Sequence, residues 1–367
     1  MTDERTTARA GLDEVPERPE RPEEAPGRRP VRHRGAAWTL VVLTPLIAEL
    51  ALGSTPVRMA WLVLLWMPVY GAGVLLIREL VARRGRGWPS ILLLALAYEL
   101  VEDGIGLQAL TSPHLYDAAS WGARVLGVNL PYFEANAIYH AVFTVCIPIA
   151  LTNLLFPAHR GRPYLGVPGT VVAAVVAVLG VGLLRTVTLS EDPGYQAPTA
   201  FVLGVVVLVL VLGVVALFVV PAPRPASSGP AVPPDQPVPP DQPGTAAVPS
   251  LGLLAVASAL ATLVFFGLSF PVFGARQPAF TEGLMVLVPM AVTVIGVVAC
   301  YRYLTRTASS PAWTPRHTLA LIGGALVAHS VGGLVIMAHT TVDRVGLVVI
   351  IALTVVGLLL VDRRLRR

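Results

Sequence analysis

The sequence predicts an all-α protein, a polytopic transmembrane bundle of about ten helices with both termini inside the cell. Three observations predict this fold class: an apolar composition, apolar runs of membrane-spanning length, and arginines concentrated on alternate sides of those runs. Apolar residues make up 54% of the chain and charged residues 13%, against about 25% charged in an ordinary soluble domain. A soluble core cannot hide this much apolar surface, so the chain needs lipid as its solvent.

Ten apolar runs have the length at which a helix crosses a bilayer, about 20 residues. They cover residues 36–54, 58–80, 88–109, 133–156, 165–188, 199–220, 250–271, 280–304, 317–339 and 342–361. Each run is expected to form one transmembrane helix.

The arginines predict how these helices are oriented. The chain has no lysine, and with the N-terminus inside, 22 of its 27 arginines fall on the cytoplasmic side and five on the other. Arginine accumulates in the cytoplasmic loops of membrane proteins, so we expect a protein of the plasma membrane with both termini cytoplasmic. The net charge of +5 then reflects topology, and the expected partner is the lipid bilayer rather than a nucleic acid.

Two polar, proline-rich segments divide the chain. Residues 1–35 have too little apolar surface to fold and are expected to form a disordered cytoplasmic tail. Residues 221–249 contain the tandem repeat VPPDQPVPPDQP and are expected to form a semi-rigid cytoplasmic linker. The predicted membrane domain therefore consists of a six-helix region at 36–220 and a four-helix region at 250–367.

Ionisable residues inside the predicted third helix are the main indication of function. A charged group at bilayer depth is costly unless it is paired or hydrated. Glu99, Glu102 and Asp103 are spaced i, i+3 and i+4, which places them on one face of a helix. Three carboxylates on one face cannot all stay ionised without a compensating partner, so the face suits a proton carrier, a general acid or base, or a cation ligand.

Polar residues on three further helices are expected at the same depth in the membrane. At about 1.5 Å of rise per residue, the third-helix carboxylates lie roughly 16–22 Å from the cytoplasmic end of their helix, and Glu49, His140 and His329 lie at a similar depth. Asn136, His140 and Thr144 also form a polar stripe along the fourth helix. The predicted ion-binding pocket comprises Glu49, Glu99, Glu102, Asp103, Asn136, His140 and His329. Alternatively, these side chains only join neighbouring helices by hydrogen bonds.

Four sequence stretches are similar to those of known membrane proteins. They are LLIREL at 75–80, GWPS at 87–90, AYELVEDG at 97–104 and HAVFTVCIPIALTNLLFP at 140–157. In these stretches the chain resembles an uncharacterised group of bacterial multi-pass membrane proteins. The resemblance covers roughly the N-terminal half of the chain. It implies a membrane fold and brings no activity with it.

An acidic pair, Glu102 and Asp103, is followed by His140 and His329 on later helices. This order is similar to that in the CAAX-prenyl endopeptidase and bacteriocin-processing family of intramembrane proteases, whose motifs are Glu-Glu-x-x-x-Arg, Phe-x-x-x-His and His-x-x-x-Asn or Asp. The chain departs from these motifs at Leu107, Asn136 and Gly333. For a hydrolase, the resemblance implies that Glu102 activates water and that His140 and His329 are its catalytic partners.

The leading functional hypothesis is binding or transport of a proton or another cation through an outward-facing polar pocket. One alternative is an intramembrane, glutamate-dependent hydrolase, and another is a non-catalytic membrane subunit of a larger assembly. Walker, GxSxG, HExxH and dinucleotide-binding patterns are absent from the sequence. The sequence therefore specifies neither a cofactor nor a particular metal.

Overall fold

The computed structural model describes residues 33–116, 121–223, 248–270 and 283–367. Ten helices follow one another through these ranges, and each overlaps one of the predicted spans. They are α1 34–50, α2 Val57–Arg83, α3 88–106, α4 Leu130–Leu155, α5 Val167–Glu191, α6 Thr199–Val219, α7 Leu251–Ser269, α8 Leu284–Thr307, α9 Pro315–Ile336 and α10 Thr341–Leu365. The predicted all-α helix bundle is confirmed.

The described ranges contain little β-structure. Between α3 and α4, strands β1 Arg124–Val125 and β2 Val128–Asn129 pair in an antiparallel hairpin. Leu126 and Gly127 at its tip have φ values of 52° and 85°. Positive φ at both central residues is typical of one common two-residue hairpin turn. Most of the predicted tail, residues 1–32, and most of the predicted linker, residues 224–247, lie outside the described residues.

Eight of the ten described helices are long and apolar enough to cross a membrane. The other two are α1, which is short, and α3, which carries three carboxylates in its second half. Exposed valines and leucines cover much of α5, α6, α8 and α10. Such large apolar surfaces require a lipid solvent, so the described helices belong to a multi-pass membrane protein.

Polar contacts between helix ends show that α5 runs opposite to α2 and in the same direction as α3. Arg83 at the end of α2 donates to the Leu165 carbonyl, just before α5, at 2.7 Å. At the other end of the bundle, the Ser112 hydroxyl, after α3, donates to Asp192, after α5, at 2.6 Å. Several arginines cluster at residues 83–86. We therefore call the first end the arginine-rich end and the second the arginine-poor end.

Five short π-helical segments, which the periodicity of the sequence did not predict, widen the described helices. They are Leu46–Leu50 in α1, Met67–Ala72 in α2, Leu100–Gly106 in α3, His140–Cys146 in α4 and Val215–Val219 in α6. Three of them lie beside or contain a proline: Pro45, Pro68 and Pro148. Proline has no N–H for the carbonyl four residues earlier, and this missing hydrogen bond favours a local change of helix type. Isolated π-helical turns are frequent at functional sites.

Small residues on α9 allow α7 to pack closely against it. A Cβ atom added at Gly324 would lie 1.9 Å from the Ala255 carbonyl oxygen, and one at Gly332 would lie 2.8 Å from the Phe266 ring. Close backbone approach through small residues is a common means of helix association in membranes. The packing also buries His329, whose ring centroid is 5.9 Å from that of Phe266.

A buried ion pair anchors the connection between α4 and α5 at the arginine-rich end. Glu79 accepts hydrogen bonds from the Tyr164 and Leu165 backbone amides at 2.6 and 3.1 Å and pairs with Arg78 at 3.1 Å. The Arg78 guanidinium lies 3.1 Å from the centroid of the Tyr164 ring. The structure buries both charges because the loop after α4 folds over them.

Candidate functional site

Four of the residues predicted to form the pocket meet between α3 and α4, in the interior of the bundle. Their exposed fractions are 0% for Glu99, 1% for Glu102, 2% for Asp103 and 5% for His140. We call these four residues the carboxylate–histidine cluster. Glu99 ends the α-helical part of α3, and the other three lie in the π-helical segments of α3 and α4.

The imidazole of His140 lies between the carboxylates. Its Nδ1 is 3.4 Å from Glu102 Oε2, and its Nε2 is 3.6 Å from Glu99 Oε2. Nδ1 is also 3.0 Å from the Thr144 hydroxyl, one turn along α4. One ligand atom each from Glu99, Asp103 and His140 lies within 4.8 Å of the other two. The cluster therefore presents two carboxylates and one imidazole to a common point.

Several oxygens of the cluster lack hydrogen-bond donors. Outside the cluster itself, no described residue donates a hydrogen bond to either side-chain oxygen of Glu99 or to Asp103 Oδ2. In the described part of the chain, the close contacts of Glu99 and Glu102 with a basic side chain are both with the His140 imidazole. This environment differs from that of Glu79, which accepts two backbone hydrogen bonds.

Four tyrosines surround the cluster. The ring centroids of Tyr70, Tyr98 and Tyr139 are 6.3, 5.8 and 5.4 Å from that of His140. The Tyr132 hydroxyl donates to Asp103 Oδ1 at 3.5 Å. The sequence did not predict a role in the site for these tyrosines. Tyr70, Tyr98 and Tyr139 lie within predicted spans, and this position could have indicated them, because membrane-protein tyrosines are enriched at the interfaces instead.

Glu49 lies beside the cluster and is connected to it by Tyr70. The Tyr70 hydroxyl donates to Glu49 Oε1 at 2.6 Å, and the hydroxyls of Ser54 and Thr55 donate to Oε2 at 2.9 Å each. Ser54 is exposed in the turn after α1, at the arginine-poor end. A chain of polar groups thus leads from that surface through Glu49 and Tyr70 towards His140.

The last two predicted pocket residues make other contacts. His329 Nε2 lies 3.1 Å from the Tyr139 hydroxyl, which itself donates to the Ala48 carbonyl. The His329 ring is buried against Phe143, with a centroid distance of 4.3 Å. The Asn136 amide donates to the Tyr132 carbonyl of its own helix at 3.0 Å. The structure therefore connects His329 to His140 through the Tyr139 side chain and directs the Asn136 amide towards its own backbone.

The fold and the cluster together define a polytopic α-helical membrane protein with a buried, acid-rich polar site. The chain belongs to an uncharacterised membrane protein family, whose model matches residues 39–367. No curated protein and no solved structure matches the chain. The family match extends from within α1 to the end of the chain, so it includes every residue of the carboxylate–histidine cluster.

Proposed function

We propose that this protein binds and transports a cation, either a proton or a metal ion, through the carboxylate–histidine cluster. The observation that carries this proposal is the set of buried carboxylate oxygens without donors in the described residues. Buried polar groups in proteins are nearly always paired, and each unpaired ionised carboxylate costs several kcal/mol. Bound protons or a metal ion would remove that cost.

The charges of the cluster favour a cation over purely structural pairing. A protonated His140 supplies one positive charge, whereas Glu99, Glu102 and Asp103 supply up to three negative charges. Glu79 shows how this chain satisfies a structural carboxylate, with backbone amides and an arginine. The cluster carboxylates have no such arrangement among the described residues, which favours exchangeable protons or a bound ion as their partners.

The polar chain from Ser54 through Glu49 and Tyr70 supports access to the cluster from the arginine-poor end. We further propose that the arginine-rich end faces the cytoplasm of the plasma membrane, because arginine accumulates on that side. In this orientation the pocket opens to the outside of the cell.

Cysteine labelling tests this orientation. In a background with Cys146 and Cys300 replaced by alanine, Leu126→Cys lies at the arginine-poor end and Ala158→Cys at the arginine-rich end. An impermeant maleimide added to intact cells should label the first variant and not the second, while both should react once the membrane is permeabilised. The reverse pattern would overturn the proposed orientation.

Ion flux into proteoliposomes tests the proposed function. With a proton or metal-ion gradient imposed and a dye for the same ion trapped inside, the wild-type protein should carry the ion. Glu99→Gln and Asp103→Asn should each lower the initial rate about tenfold or more, because each removes a carboxylate that is proposed to bind the ion during transport. Glu134→Gln is the matched control, since it removes a half-buried carboxylate of α4 that lies outside the cluster. Equal rates for wild type and Glu99→Gln would contradict the proposal.

A second candidate function is hydrolysis within the membrane, which the contact between Glu102 and His140 favours. A buried carboxylate beside an imidazole is a suitable general base for activating water. The resemblance to intramembrane proteases implies His329 as a further catalytic partner. His140→Ala and His329→Ala should then both abolish peptide cleavage. In a cation transporter, His329→Ala should retain most of the ion flux, because His329 contacts Tyr139 rather than the carboxylates.

A further inference from the structure

We infer that the cluster is a binding site for a divalent transition-metal ion, with Glu99, Asp103 and the Nε2 atom of His140 as its protein ligands. This inference rests on the proposed function and specifies its cargo. It begins from the three ligand atoms that lie within 4.8 Å of one another. The unpartnered oxygens of Glu99 and Asp103 provide the independent sign of a missing ligand.

The two ring nitrogens of His140 have different surroundings. Nδ1 lies 3.0 Å from Thr144 Oγ1, which can accept its proton, and 3.4 Å from Glu102 Oε2, whose negative charge when ionised favours a proton on this nitrogen. With the proton on Nδ1, the lone pair of Nε2 is directed to the side of Glu99. A histidine that binds a metal usually donates its other N–H to a carboxylate or similar acceptor, which fixes the tautomer and the ring orientation. Glu102 and Thr144 are suited to that positioning role.

The distance between Glu99 and His140 is compatible with a shared metal ion. Two ligands that each lie about 2.1 Å from a tetrahedral ion are about 3.4 Å apart. His140 Nε2 and Glu99 Oε2 are 3.6 Å apart, so a small side-chain movement would complete this pair. Three protein ligands leave a coordination position open, as in sites that exchange water or substrate. An open position suits an ion that must be released.

The donor atoms indicate the class of metal. Imidazole is a good ligand for zinc, iron, nickel and copper, whereas calcium and magnesium favour oxygen ligands alone. Two carboxylates also neutralise the charge of a divalent ion in a buried site. We therefore expect Zn²⁺ to bind more tightly than Mg²⁺ or Ca²⁺, and monovalent cations to bind weakly.

Equilibrium dialysis of the purified full chain, with metal content measured by mass spectrometry, tests this inference. After chelator treatment, the protein should take up one Zn²⁺ per chain in competition with excess Mg²⁺. Glu99→Gln, Asp103→Asn and His140→Gln should each weaken binding about 100-fold or more. Glu102→Gln should keep the stoichiometry and weaken binding about 10- to 100-fold, the usual effect of losing a group that orients a ligand. Glu134→Gln is the matched control and should bind as the wild type does.

X-ray absorption of the metal-loaded wild type provides a measurement that does not depend on the variants folding. It should show one imidazole and oxygen ligands without sulfur. Absence of stoichiometric metal, sulfur ligation, or unchanged affinity in all three ligand variants would overturn the metal site. If metal does not bind but proton flux in proteoliposomes is lost in Glu99→Gln, the metal inference fails and the proposed function stands. If metal does not bind and Glu99→Gln leaves the flux of every tested ion unchanged, both fail.

Discussion

At a pH at which its imidazole is protonated, replacing His140 with leucine is expected to lower the free energy of unfolding of the metal-free protein by about 3–5 kcal/mol, the usual cost of removing one partner from a buried ion pair. The imidazole is the group that approaches both Glu99 and Glu102, at 3.6 and 3.4 Å. Leucine fills much of the space of the ring and supplies no positive charge. Unfolding in detergent, followed by tryptophan fluorescence at controlled pH, measures the loss.

Two further variants separate this electrostatic effect from lost packing. His329→Leu removes an equally buried imidazole whose hydrogen bond is to Tyr139, and it should cost only about 1 kcal/mol from that bond. Adding Glu102→Gln to His140→Leu should recover part of the stability, because the orphaned carboxylate is then neutral. The contradicting result has two parts: His140→Leu lowers the free energy of unfolding no more than His329→Leu does, and Glu102→Gln recovers none of that loss. Together they would show that the cluster is not electrostatically coupled.

The helices were predictable because lipid imposes a simple rule on sequence. Each membrane-spanning helix needs an apolar run of about 20 residues, and the ten runs of this chain correspond to ten described helices. The common depth of Glu99, Glu102, Asp103 and His140 was also predictable, because helical rise per residue is constant. The common depth also led us to expect helices three and four in contact, and in the structure His140 Nδ1 of α4 lies 3.4 Å from Glu102 Oε2 of α3.

Other features depend on packing that a single sequence does not encode locally. The π-helical segments shift side chains away from the ideal helical spacing, and they lie where Glu49, Glu102, Asp103 and His140 are found. Asn136 shares the predicted stripe with His140 yet bonds to its own backbone. His329 shares the predicted depth but is joined to His140 only through Tyr139. Arg78 and Glu79 are buried because a distant loop covers them.

The central claim is that the buried carboxylates take up protons or another cation, and reaction with a hydrophobic carbodiimide tests it most directly. This reagent modifies protonated carboxyl groups in apolar surroundings, and peptide mass spectrometry locates the product. The proposal predicts modification of Glu99, Glu102 or Asp103 in the metal-free protein. At a metal concentration about 100 times the Kd nearly every site is occupied, so modification of this peptide should fall about tenfold or more, while that of Glu134 should not change. Two results would contradict the claim. One is modification of the cluster that stays the same when cations are added and when the pH is raised. The other is an unmodified cluster in a sample in which Glu134 has reacted.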